Sequence, residues 1–211
     1  MSRPVLLLAA WLILLAATLT LSILAARHDT LAGDEAIMSW AQDRAFPGER
    51  FSDAVRAVTG TEAVVGTGLA VAVLLALLGE RRAAIALAAG IALLPVLQAG
   101  VKELVDRPRP MAALVELRAA FDSPSFPSGH VMSPTLLYGF LLYLSFRSAL
   151  PLWLRTAAGT WSGFVLVFAG PASVWLGVHW PSDVLGGWAW GLVLLLPLVI
   201  VLEASRGREA V

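Results

Sequence analysis

Long apolar runs alternate with short polar segments along the whole chain. Six stretches of 16 to 22 residues contain no Asp, Glu, Lys or Arg: 5–26, 63–79, 83–101, 131–146, 157–178 and 184–202. A helix that crosses the hydrocarbon core of a bilayer needs about 20 such residues. The pattern therefore predicts an all-α fold, an integral-membrane bundle of six transmembrane helices that forms a single membrane domain over residues 1–211.

The first stretch also admits a second interpretation, a cleavable signal peptide, because Arg3 precedes it. Its 22 apolar residues exceed the usual signal core of about 7–15 residues. The flanking residues 24–27, Leu-Ala-Ala-Arg, also form a poor cleavage site. The pattern favours a helix that is retained in the membrane.

The polar connections indicate the orientation of the bundle. Segments 80–82 and 147–156 carry two basic residues each, and basic residues concentrate on the cytoplasmic side of membrane proteins. We therefore expect both termini in the cytoplasm. Segments 102–130 and 179–183 share one face in either orientation, because two spans separate them, and here that face is extracytoplasmic. The Ala- and Leu-rich chain favours a bacterial inner membrane.

The loop 27–62 predicts one or two short amphipathic helices on the membrane surface or capping the bundle. Phe46, Phe51, Val55 and Val58 recur at roughly helical spacing. Residues 47–48, Pro-Gly, mark a turn within the loop.

Composition narrows the class of protein further. The chain is 58% hydrophobic and 14% charged, with a mean hydropathy of +0.79, which excludes a soluble enzyme, a disordered protein and a secreted disulfide scaffold. Without cysteine it has neither disulfides nor a thiolate nucleophile. Its 15 basic and 15 acidic residues balance, so we expect a lipid bilayer and no nucleic acid as partner.

The first candidate site segment begins where the third stretch ends. Lys102 is followed by Arg107 and Arg109, each of which precedes a proline that holds the backbone extended. Such a segment is either a basic membrane-interface anchor or an anion clamp, because the guanidinium fork matches phosphate oxygens and lysine adds a point charge.

The second candidate segment leads into the fourth stretch. Ser128 and Gly129 can present backbone N–H groups at a helix N-terminus, which is an oxyanion or phosphate site, and His130 would stand beside the anion. The alternative is a helix cap followed by an interfacial histidine.

The third candidate segment joins the last two stretches. His179 and Asp183 are four residues apart, so the carboxylate can fix the tautomer of the imidazole and raise its basicity. The alternative is a polar turn. All three segments converge on one membrane face, and the basic residues there would repel a cation, so we expect no metal and no other cofactor.

The three segments resemble the motifs of the type 2 phosphatidic-acid phosphatase superfamily, integral-membrane lipid phosphatases related to the vanadium haloperoxidases. The first motif, Lys, six residues and Arg-Pro, matches 102–110, and the second, Pro-Ser-Gly-His, matches 127–130. The third motif ends correctly in His179 and Asp183. Order and spacing agree with the family over roughly residues 64–202.

The resemblance implies a metal-independent phosphatase acting on a membrane lipid phosphate or diphosphate, such as an isoprenyl diphosphate, phosphatidylglycerophosphate or phosphatidic acid. It implies that His179 attacks phosphorus and becomes a phosphohistidine, that Asp183 orients it, and that His130 protonates the leaving oxygen and later activates water. The phosphate oxygens would be bound by two cationic side chains and two backbone N–H groups: Lys102, Arg109, Ser128 and Gly129.

One position departs from the family pattern. The Ser-Arg of the third motif corresponds to Ala172 and Ser173, so an arginine that would contact phosphate is absent. A hydrogen bond to a charged group contributes about 1.5–3 kcal/mol, which predicts roughly 10- to 150-fold lower activity unless Arg107 or Arg118 supplies the charge. Ser173 thus leaves open a lipid-phosphate-binding protein with weak or no catalysis.

Phosphate transfer and transport are two alternatives to hydrolysis. Transfer of the phosphate group between lipids would use the same residues with another acceptor. A transporter or channel is disfavoured, because the six stretches contain no charged side chain of the kind that usually marks an ion path.

Overall fold

The computed structural model describes residues 3–45, 47–119, 121–147 and 150–207. Within these ranges the chain folds into helices and connecting loops, with no strand. The described helices, in chain order, are α1 (Arg3–Arg27), α2 (Asp34–Gln42), α3 (Glu49–Thr59), α4 (Thr61–Leu77), α5 (Arg81–Val105), α6 (Gly129–Arg147), α7 (Leu152–Trp175) and α8 (Pro181–Gly207). Each of the six apolar stretches coincides with a long helix, and α2 and α3 occupy the loop 27–62.

Two helix ends differ from the predicted stretches in ways that shape the site. Helix α5 continues past residue 101 to Val105, since charged residues at the end of a helix reach the polar boundary and do not end it. Helix α7 covers Leu152–Trp175, not 157–178. The chain turns at Gly177, whose φ of +73° lies in the left-handed region, and a Cβ there would collide with the carbonyl oxygen of Glu116.

Length and composition make α1, α5, α7 and α8 candidate membrane spans. Helices α3 and α4 form a fifth candidate if the pair, bent by 51° at a short break, is one span. Helix α6 is not among the candidates found in the described part of the chain. The six-span layout therefore stays a prediction for residues 131–146.

Helix α6 lies at the centre of the bundle, and this position explains its composition. Eleven of its 19 residues are buried, and it packs mainly against α7 and α8. Leu136, Leu137 and Phe140 are fully buried core side chains. Because neighbouring helices and not lipid surround α6, it can include Ser133, Pro134 and other less apolar residues.

Helix α1 packs against the outside of α8. The indole Nε1 of Trp11 donates to the carbonyl oxygen of Val193 at 2.9 Å, and that of Trp190 donates to the Ser22 hydroxyl at 3.1 Å. These bonds between helices join α1 to α8.

Helices α2 and α3 cap the bundle at the end that carries the polar segments. Met38 of α2 is fully buried, and Gln42 donates to the carbonyl oxygen of Glu116 at 2.7 Å. Phe51 of α3 packs edge-on against Phe168 of α7, whereas Phe46 lies outside the described residues. The cap brings α2 and α3 close to residues 102–130 and 179–183.

Candidate active site

His179 and Asp183 form a buried pair between α7 and α8. The chain turns at Gly177 after the end of α7, so His179 lies in the connection between the two helices. Asp183 lies in the first turn of α8. The Nδ1 atom of His179 is 3.7 Å from Oδ2 of Asp183. This distance is longer than a hydrogen bond but within the range of an ion pair. Both side chains are almost fully buried, so solvent does not compete for the imidazole.

Burial lowers the pKa of His179 to about 4, and the nearby Asp183 carboxylate opposes this shift. The ring is therefore neutral at pH 7 and offers a lone pair. Its Nε2 atom lies 3.4 Å from Nη1 of Arg109, on the edge of the ring away from Asp183. One nitrogen of the imidazole thus faces the Asp183 carboxylate and the other faces the Arg109 guanidinium.

Arg107 links this pair to a second carboxylate, that of Asp34. The Arg107 guanidinium donates to Asp183 Oδ1 at 2.6 Å and to Asp34 Oδ2 at 2.8 Å, and its side chain is fully buried. Asp34, at the start of α2, also accepts the backbone N–H of Ser182 at 2.9 Å. Arg107 is therefore committed to carboxylates, and the expectation that it could bind phosphate is wrong.

Lys102 and Arg109 carry the positive charge closest to His179. Lys102 lies in the last turn of α5, and its Nζ donates to the carbonyl oxygen of Pro124. Arg109 donates to the carbonyl oxygens of Ser123 at 2.8 Å and Val178 at 2.6 Å, which fixes its fork beside the imidazole. Burial lowers the pKa of Arg109 to about 10, so it remains protonated at neutral pH.

Ser128 and Gly129 differ in whether their backbone N–H groups already have an acceptor. The N–H of Ser128 donates to the carbonyl oxygen of Asp183 at 3.0 Å, so the expectation that this N–H can bind phosphate is wrong. The Ser128 hydroxyl is buried and has no hydrogen-bond partner among the described residues. Gly129 begins α6, where helix N–H groups lack backbone acceptors, and a Cβ there would lie 2.8 Å from Nε2 of Gln98.

His130 is the second residue of α6 and precedes the predicted span 131–146. It is half-buried. Burial lowers the pKa of His130 to about 3, and the neighbouring charges of His179 and Arg56 act in the same direction. A bound phosphate dianion opposes these positive charges and favours the protonated ring. His130 is thus suited to carry a proton once an anion is present.

Ser173, which replaces the third-motif arginine, and Arg118, which could have supplied its charge, both make their hydrogen bonds away from Lys102 and Arg109. The Ser173 hydroxyl is buried and donates to the carbonyl oxygen of Ala169, one turn back in α7, at 2.8 Å. Arg118 stacks over Trp175 and donates to Glu116. The structure therefore gives neither of them a role in balancing a bound phosphate.

Three side chains at the site were missed by the sequence motifs: Asp34, Arg56 and Ser125. Ser125 donates its hydroxyl to Asp183 Oδ2, and its place within the segment 123–130 could have indicated this. Asp34 and Arg56 belong to the loop 27–62, and no spacing links them to the three motifs. In the described part of the chain, no group of three or more His, Cys, Asp or Glu side chains is arranged to hold a metal ion.

Comparisons with known proteins identify the family of this chain. The family model of the PAP2 superfamily matches residues 83–206, which include all three polar segments. Phosphatidylglycerophosphatase B of Bacillus subtilis (strain 168) is 35% identical over 96 residues, which is 44% of this chain and 45% of that protein. The match thus spans less than half of the curated relative.

A solved structure resembles the whole described fold. The crystal structure of the first transmembrane PAP2 type phosphatidylglycerolphosphate phosphatase from Bacillus subtilis matches with a TM-score of 0.71. The match covers 97% of this chain and 98% of that one, at 23% sequence identity. At this identity the likeness establishes the fold alone. Because the family model also matches more than half of the chain, this all-helical integral membrane protein belongs to the PAP2 superfamily.

Proposed function

We propose that this chain is a metal-independent lipid phosphatase that passes a phosphoryl group from a lipid phosphate or diphosphate to His179 and then to water. The observation that carries the proposal is the buried imidazole of His179, which lies between the Asp183 carboxylate and the Arg109 guanidinium. The match to a phosphatidylglycerophosphatase supports a lipid substrate.

The first step forms a phosphohistidine. The lone pair on Nε2 of His179 attacks phosphorus while the P–O bond to the lipid breaks, and its electron pair goes to the leaving oxygen. Asp183 stabilises the positive charge that develops on the ring, as the acid does in a Ser-His-Asp triad. His130 donates its proton to the leaving oxygen.

The second step releases inorganic phosphate. His130, now neutral, takes a proton from water, and the resulting hydroxide attacks the phosphohistidine while the P–N bond breaks. Four groups would stabilise the charge on the equatorial oxygens: the side chains of Lys102 and Arg109, the Ser128 hydroxyl and the Gly129 N–H. Lys102 and Arg109 supply the positive charge that Mg²⁺ supplies in kinases.

Phosphate release from a panel of lipids tests this function. The chain, purified in detergent with EDTA present, should release inorganic phosphate from at least one of an isoprenyl diphosphate, phosphatidylglycerophosphate and phosphatidic acid. EDTA should leave the rate unchanged, because protein cations replace the metal. Absence of release from all three lipids, or release only after a divalent metal is added, would contradict the proposal.

The second candidate function is binding of a lipid phosphate with little or no turnover. Ser173, which replaces the third-motif arginine, is the observation that favours it. It predicts saturable binding of a lipid phosphate without phosphate release in the same preparation. A third outcome is phosphate transfer, in which an added acceptor lipid becomes phosphorylated in place of water.

We also propose that the site faces away from the cytoplasm in a bacterial inner membrane. Four basic residues lie at the helix ends opposite the site, which supports this orientation: Arg81 and Arg82 at the start of α5, Arg147 at the end of α6 and Arg155 in the first turn of α7. Since the chain has no cysteine, the labelling of a single introduced cysteine shows on which side of the membrane that residue lies. An impermeant maleimide should label Ala113→Cys in intact spheroplasts and Arg81→Cys only after lysis. The reverse labelling pattern would contradict the orientation.

A further inference from the structure

Arg56 of α3 approaches the site beside His130. Its guanidinium carbon lies 4.8 Å from the ring centroid of Phe121, and that of Arg109 lies 4.7 Å from the same centroid. The His130 ring meets Phe121 edge-on, with the centroids 5.7 Å apart. The Phe121 ring therefore brings two guanidinium groups and an imidazole into one cluster.

The backbone of α3 fixes this approach. The helix ends at Thr59, and the N–H of the following residue, Gly60, donates to the carbonyl oxygen of Arg56 at 3.1 Å. A Cβ on Gly60 would lie 3.8 Å from Nε2 of His130. The last turn of α3, which carries Arg56, thus packs directly beside the His130 imidazole.

Arg56 keeps hydrogen-bonding capacity that Arg107 and Arg109 have already used. Its ion pair with Asp53 is 3.9 Å long, which exceeds hydrogen-bond distance. Its Nε atom is buried and has no hydrogen-bond partner among the described residues. Its side chain is 23% exposed. A buried N–H without an acceptor costs free energy, and an anion at the site would satisfy it.

The position of Arg56 relative to the two histidines identifies which part of a substrate it meets. Arg109 lies against His179, so it would bind the phosphoryl group that is transferred. Arg56 lies in the last turn of α3, which packs beside His130, and His130 would protonate the leaving oxygen. Arg56 is therefore placed for the leaving group and not for the transferred phosphoryl group.

The charge of the leaving group depends on the lipid. When the P–O bond breaks, its electron pair stays on the leaving oxygen and a proton arrives from His130. If the leaving group is an alcohol such as diacylglycerol, it departs neutral. If it is itself a phosphate, as in a diphosphate, it departs with negative charge that a neighbouring guanidinium stabilises.

We infer that Arg56 binds a phosphate belonging to the leaving group, and that the preferred substrate is a lipid whose leaving group carries its own phosphate. This inference rests on the proposed phosphatase function. Two lipid classes share this chemistry: a lipid diphosphate, with the second phosphate adjacent, and a phosphatidyl lipid with a second phosphate farther along the headgroup.

The test compares farnesyl phosphate with farnesyl diphosphate, which share one tail and differ in the leaving group. Wild type should prefer the diphosphate. Arg56→Gln should lower kcat/KM for the diphosphate by roughly 10- to 150-fold, and for the monophosphate by less than about threefold. Arg50→Gln removes the same charge from an exposed position on α3 and should change neither rate by more than about twofold.

Phosphatidylglycerophosphate provides the arm that separates the two lipid classes. If Arg56→Gln lowers kcat/KM for farnesyl diphosphate alone, Arg56 binds a phosphate adjacent to the transferred one. If it lowers kcat/KM for phosphatidylglycerophosphate alone, Arg56 binds a phosphate farther along the headgroup. An equal loss on farnesyl phosphate and farnesyl diphosphate, or no loss on any lipid, overturns the inference. Arg56→Lys keeps the charge without the planar fork, and it should retain part of the preference even if Arg56→Gln folds poorly.

Binding of non-hydrolysable analogues separates this inference from the proposed function. By calorimetry in detergent, Arg56→Gln should weaken farnesyl methylenediphosphonate by about tenfold or more and farnesyl phosphonate by less than about threefold. Equal weakening of both analogues, or of neither, overturns the role of Arg56 regardless of turnover. A wild type that binds both analogues yet hydrolyses no lipid overturns the phosphatase proposal alone.

Discussion

Replacing His179 with alanine should lower kcat for phosphate release by about 10⁴-fold or more, since removal of a covalent nucleophile typically costs this much. The imidazole is nearly fully buried and lies between Asp183 and Arg109, so another side chain cannot easily take its place. Phosphate release by purified variant and wild type, on the most active lipid of the panel, measures the effect.

His28 provides the matched control for this substitution. It is exposed in the loop after α1, so His28→Ala should change the rate by less than about twofold. Both variants should elute and unfold like wild type in detergent. If His179→Ala keeps full activity while folded, the assignment of the nucleophile is wrong.

Replacing Arg107 with methionine should have the largest effect on stability. Arg107 lies fully buried between Asp34 and Asp183, and its loss leaves two buried carboxylates without their cation. Breaking a buried ion pair by removing one partner costs about 3–5 kcal/mol, which corresponds to a fall in Tm on the order of 10 °C. Activity should fall as well, because Asp183 loses the group that holds its second oxygen.

A double substitution distinguishes this network from general damage to the core. Asp34→Asn combined with Arg107→Met removes one of the stranded charges, so the pair should unfold at a higher temperature than Arg107→Met alone. The expected coupling lies within about 0.5–3 kcal/mol. Arg81→Met, at the exposed start of α5, should stay within about 0.5 kcal/mol of wild type. Additive effects of the two buried substitutions would contradict the network.

The sequence predicted the helices because charged residues are confined to their ends. It also predicted that Lys102, Arg109, His130, His179 and Asp183 share one face, and the structure brings these residues together. Both inferences use what can be read directly along the chain. The first uses the length of each apolar run, and the second uses the even number of spans between two polar segments. The central position of α6 was not predictable in this way, because a buried helix and a lipid-facing helix are both apolar.

Contacts between distant segments account for what the sequence did not predict. Asp34 pairs with Arg107 across 73 positions, and Arg56 lies near His130 only because α3 ends beside that residue. The motif also indicated a phosphate-binding N–H at Ser128, but the approach of α8 gives that N–H an acceptor in Asp183. Each of these contacts depends on how the helices pack, which hydrophobic periodicity does not encode.

The central claim is that His179 carries the phosphoryl group between lipid and water. Its most direct test is to mix wild type with lipid labelled by ³²P in the transferred phosphate and to quench within one turnover, since His130 serves both steps and its removal would also slow formation of the intermediate. The account predicts an alkali-stable, acid-labile label on the peptide that contains His179 and no label in His179→Ala. A label on another residue, or rapid hydrolysis that never labels the protein, would contradict it.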